Sequence, residues 1–202
     1  MSWTAFHSRG ETLHAVVDAA NATQDGILPL QVPGVAENFT DEVDLVGALL
    51  LKWHARLSGN IERALMREPM DLESAVSSAW RATAEQLPGV RLVIDRCTLL
   101  PETTEMAEAM ERAREREWVR LALAAGLANS AGPLAVEAGR RVEEQAREGL
   151  ALEAVVEPAT ETETETETTT ALADGDTPTA ENTTDEAPTE SFVDRIKAVL
   201  AA

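Results

Sequence analysis

The chain has 202 residues, 44% hydrophobic but only 3% aromatic and without tyrosine, and a formal net charge of −19. That length allows one domain plus an appendage, and that charge repels nucleic acid and anionic membrane. A single cysteine, Cys97, excludes a disulfide framework and a paired-cysteine metal or redox motif.

The opening residues lack a basic region followed by an apolar core, so no signal peptide is expected, and a cytoplasmic protein is the default reading. Ser8 is placed to cap a first helix from Arg9 to about Asn21, with Leu13, Val16, Val17 and Ala20 on its apolar face. Asp25-Gly26 ends it, and Pro29, Pro33 and Gly34 mark a loop in which 27–32 suits a short extended piece.

Asp41 to Arg67 is the longest helical pattern, and Thr40 is its candidate cap. Val43, Val46, Leu50, Trp53, Leu57 and Ala64 form a stripe at spacings of three and four, widened by Leu49, Ile61 and Leu65. Lys52, Arg56, Gly59 and Arg63 fall on the far side, so the segment reads as a central rod with one face to cover.

A third helix runs from Asp71 to Gln86, through Leu72, Ala75, Val76, Ala79, Trp80 and Thr83. Residues 90–100 fit either a helix or a buried strand; helix is preferred because no strand partner is evident. Pro101 precedes a long charged helix, Glu102 to Asn129, whose middle, ERAREREW, reads as a solvated face. Pro133 suits the first turn of another helix, to about Val155, with Val136, Val142, Ala146 and Leu150 as its stripe.

Composition then changes. Between 156 and 191 there are eleven acids and no base in a Thr/Glu-rich run that cannot bury enough surface to offset its ordering entropy. Disorder is expected there. Ser191-Phe-Val-Asp194 has the capping-box spacing, and Phe192, Val193, Ile196, Val199 and Leu200 form one apolar face. The expected organisation is therefore all-α: a bundle of about five to six helices over 1–156, an acidic linker over 157–189 and an amphipathic helix over 190–202.

Chemical motifs are few. His7, Glu11, His14 and Asp18 share a helical face, and Glu11-Thr-Leu-His14 copies the Glu-x-x-His spacing of di-iron carboxylate bundles. Such a site needs a second motif, and His54 has Leu51 where the glutamate should stand. His54 reads instead as a hydrogen-bonded boundary residue, and Cys97 as a small core residue. No catalytic residue and no cofactor is expected.

MSWTAFHSRGETL at the start and DLVGALLLKWHARL from Asp44 look similar to uncharacterised helical proteins of actinobacteria. The resemblance covers about the first hundred residues and implies a helical fold, with no activity carried over. Lysine only at 52 and 197, against abundant arginine and alanine, agrees with a high-GC bacterial source. The layout of body, linker and terminal helix also resembles cargo proteins that carry a targeting peptide.

Three functions follow as expectations. The first is a non-enzymatic adaptor, assembly or cargo-type protein that binds a partner protein through Phe192, Val193, Ile196, Val199 and Leu200. The linker would hold that helix clear of the bundle, and docking on its own body is the alternative. The second is a metal-binding bundle or enzyme using the His7/Glu11/His14/Asp18 face. The third is an acidic solubilising or nucleic-acid-mimicking protein. Neither nucleic acid nor membrane is an expected partner, and a homo-oligomer is left open.

Overall fold

A computed structural model describes residues 3–156, with side chains from 8 to 151. The expected linker and the helix with Phe192, Val193, Ile196, Val199 and Leu200 lie outside the described residues. All the regular structure described is helical: α1 (Trp3–Thr23), α2 (Val35–Asn38), α3 (Glu42–Arg67), α4 (Leu72–Gln86), α5 (Pro88–Leu99), α6 (Thr104–Ala124) and α7 (Pro133–Val156). The fold class is all-α, as the periodicities predict.

Local chemistry accounts for the helix starts. Asp41, Asp71 and Thr103 cap α3, α4 and α6, each accepting the backbone N–H three residues on, at 2.8, 3.1 and 3.1 Å. The cap of α3 is thus Asp41, one residue beyond the expected Thr40. Pro88 opens α5, where its missing N–H costs nothing. Leu87 has no side chain able to cap α5, and Asn21 of α1 supplies the acceptor: its Oδ1 takes the N–H of Gly89 at 3.0 Å. Residues 27–32 form loop and turns rather than a short extended piece, because among the described residues no strand lies beside them to take their backbone groups.

Two glycines allow the tightest helix crossings. A Cβ at Gly89 would stand 1.8 Å from the Ala20 carbonyl oxygen, and one at Gly139 would stand 1.8 Å from that of Trp118. The first lets α1 lie on α5; the second lets α7 lie on α6.

The core gathers Val16, Val17 and Ala20 of α1 with Leu45, Leu49, Trp53 and Leu57 of α3. Val76 and Trp80 of α4, Val90 and Val93 of α5, Leu121 of α6 and Val142 of α7 complete it. On α3 the buried stripe is turned from the expected one. Leu45 and Leu49 are fully buried, while Val43 and Leu50 are half-buried, because α4, α5, α6 and α1 together cover more than one side of the rod. The charged middle of α6 departs further from expectation: Glu117 is 5% exposed.

A candidate functional site: a buried ionic hub and an open groove

Glu117 takes a position on α6 that the spacing of Met106, Met110 and Leu121 would give to an apolar residue. Its carboxylate is held by four donors from three other helices. Oε2 accepts from Trp53 Nε1 at 2.9 Å and lies 3.0 Å from His54 Nε2. Oε1 accepts from Trp80 Nε1 at 3.1 Å and Arg91 Nη1 at 3.4 Å. An ionised carboxylate only accepts, so His54 carries its proton on Nε2 here. Burial alone would raise the Glu117 pKa, but the His54 hydrogen bond and the Arg91 charge outweigh it and hold the group below the usual range.

The network continues outward. Arg91 grips Asp95 one turn along α5, through Nε at 3.0 Å and Nη2 at 2.5 Å. Arg147 of α7 reaches the same carboxylate at 3.1 and 2.8 Å and also binds Glu143 at 2.9 and 2.7 Å. Trp118 Nε1 donates to the other oxygen of Glu143 at 2.6 Å. Burial pushes Asp95 up, yet Arg91 and Arg147 prevail and bring it down to about 2. Arg91 and Arg147 are held charged despite their burial, chiefly by Asp95.

Indole faces complete the packing. Trp53 and Trp80 meet edge to face with centroids 5.7 Å apart, and Arg91 lies 4.9 Å from the Trp53 ring and 5.5 Å from that of Trp80. A cavity of about 380 Å³ opens beside this network, between Asp95, Trp118, Arg140 and Arg147. Its arginines pair with carboxylates of the protein, Arg114 with Glu111 and Arg140 with Glu137 and Glu144, although the buried Nε of Arg114 has no hydrogen-bond partner among the described residues. The arrangement fixes the mutual rotation of α3, α4, α5, α6 and α7; its charges already have partners.

A second feature is apolar. Between α1 and α3 runs a groove of about 550 Å³, floored by Gly10, Leu13, Gly47, Ala48 and Ala55, with Leu51 standing 72% exposed at its edge. Among the described residues a Cβ at Gly10 or Gly47 would meet nothing within 4 Å. One end is closed by Arg9, which binds Asp44 at 3.0 and 2.6 Å and stacks 4.2 Å from the Phe39 ring. At the other end Lys52 and Arg56 begin a basic stretch that runs to Arg63 along α3.

Glu11, His14 and Asp18 are exposed on α1, and the His7 side chain lies outside the described ones. Among the described residues no three His, Cys, Asp or Glu side chains are grouped to hold a metal ion. His54 does stand at a boundary with a hydrogen bond, as its position predicts. Cys97 is half-buried against the core, and burial, with Glu102 and Glu42 near it, pushes its thiol up to about 11. Among the described residues no helix is long and apolar enough to cross a membrane.

Sequence reasoning missed Glu117, Arg91, Asp95 and Arg147. A signal was present: in a chain with four tryptophans, two on buried stripes, each indole N–H needs an acceptor from a distant helix. Compared with known protein families, curated proteins and solved structures, the chain has no match.

Proposed function

We propose that the protein is a non-enzymatic adaptor or assembly protein, in which a rigid helical body carries a tethered amphipathic helix that binds a partner protein. The observation that carries this reading is the pattern of 191–200. After an acidic run without a base, Phe192, Val193, Ile196, Val199 and Leu200 return at helical spacing behind a Ser191 cap. A helix of that length is marginal alone, so its apolar face requires a surface to cover it. The body supports the reading in a second way. Its buried carboxylates and arginines are engaged with one another, which suits a scaffold more than a site that must take and release protons. The net charge of −19 favours a protein partner over nucleic acid.

The test is capture from extract with the full chain, a chain lacking 190–202, and the Ile196→Asp variant. A protein retained by the first, lost from the other two and recovered with Ile196→Leu is the expected result. Identical captured sets from all of them would end the adaptor reading.

A further inference from the structure

We infer that the groove between α1 and α3 is the resting dock of this chain's own segment 191–200, with the Lys52/Arg56/Arg63 stretch holding the acidic run before it. The inference goes beyond the adaptor reading and rests on it in one respect, that 191–200 forms an interaction helix. It adds an intramolecular competitor that a partner must displace.

Size, charge and reach agree. From Phe192 to Leu200 a helix rises about 12 Å, and the α3 wall of the groove from Asp44 to Ala55 rises about 16 Å. The floor of Gly10, Gly47, Ala48 and Ala55 lets a third helix approach closely, and the two glycines leave open the space that Phe192 or Ile196 would fill. An exposed floor of small and apolar residues with Leu51 beside it matches an apolar helical face.

Charge sets the direction. Lys52 and Arg56 take part in no ion pair among the described residues, although the whole chain is strongly acidic. The run from 157 to 190 contributes eleven acids and no base. Laid along α3 from Arg63 toward Lys52, it places Glu190 and Asp194 at the basic end. The helix then continues toward the Arg9–Asp44 pair, antiparallel to α3. The 35 residues from 157 to 191 span about 30–35 Å as a flexible chain and up to about 115 Å when extended, against a body of about 40 Å across, so the length of the tether allows the contact.

Amide hydrogen exchange on the full chain, kept monomeric and checked by light scattering, tests the dock. Residues 192–200 should exchange about tenfold or more slowly than in the same segment as a free peptide. Protection should vanish in Ile196→Asp and in Gly47→Leu, which fills the groove where no atom opposes it, and should weaken in Lys52→Glu/Arg56→Glu and at high salt. Should Gly47→Leu fail to melt cooperatively, a photo-crosslinker at 192 in the otherwise unchanged chain decides. Attachment near Leu51 and Ala55 supports the dock, and attachment to α6 or α7 overturns it. Absence of protection in the monomer overturns it, as does protection that survives a well-folded Gly47→Leu. Protection that rises with concentration alongside a dimer assigns the groove to a second copy and overturns the intramolecular form. A segment unprotected alone yet needed for capture from extract removes the dock and leaves the adaptor reading. A segment protected but dispensable for capture does the reverse.

Discussion

The indole N–H of Trp53 meets the carboxylate of Glu117 at 2.9 Å across 64 residues of sequence. The contact joins the rod α3 to α6 inside the core, and it explains why a glutamate stands on an apolar stripe. Two tryptophan donors, a histidine and an arginine need one acceptor among them, and a carboxylate has lone pairs for all four. Removing it should be costly. Glu117→Ala leaves a buried arginine charge and two indole N–H groups short of their acceptor, and should lower the unfolding free energy by about 3–5 kcal/mol. Chemical denaturation followed by tryptophan fluorescence measures this; a loss under about 1 kcal/mol would show that the hub does not organise the core.

Acid should unfold the protein through the same network. The folded pKa of Asp95 is about 2, below the unfolded value of about 3.9, and that of Glu117 is also depressed. Depressed carboxylates contribute stability that is complete above their unfolded pKa and disappears as pH falls through the folded one. Stability should therefore be flat above about pH 5 and decline between about pH 4 and pH 2, with Asp95 alone contributing on the order of 2 kcal/mol. Asp95→Asn should lower stability at neutral pH and flatten that decline. An unchanged slope in the variant would remove Asp95 from the acid transition.

Two glycines of opposite setting should respond with opposite sign. Gly139→Ala drives a methyl group into the Trp118 carbonyl and must part α6 from α7, a destabilisation of about 1–3 kcal/mol or more. Gly47→Ala meets nothing among the described residues, and in a chain lacking 190–202 it gains helix propensity, a stabilisation of about 0.5–1 kcal/mol. Thermal melts of the two variants check the pair, and a shift of the same sign in both would contradict the packing described.

The turned stripe on α3 separates two neighbouring leucines. Leu49 is fully buried and Leu50 half-buried, so Leu49→Ala should cost about 2–5 kcal/mol and Leu50→Ala distinctly less. Equal losses in urea unfolding would restore the stripe that the spacing alone suggests.

Helix positions are what the sequence by itself determines here. The period of apolar residues and the prolines at 101 and 133 are local signals, and they place the long helices, although α1 starts at Trp3 rather than after a cap at Ser8 and α6 ends at Ala124 rather than Asn129. They also predict that Trp53, Leu57 and Trp80 are buried, which they are. Only the tertiary structure decides which sides of α3 are covered, because a rod contacted by several helices buries more than one stripe and its own spacing does not say where the neighbours fall. The charged middle of α6 is the clearest case. Glu115, Arg116 and Glu117 are equivalent as local sequence, but a helical rotation of about 100° per residue sends only one of them inward, to donors from α3, α4 and α5. Glu117 is buried because those donors are there, and they are between 26 and 64 residues away. The groove beside Gly10 and Gly47 is likewise invisible in sequence, since it belongs to two helices and exists only when α1 lies along α3.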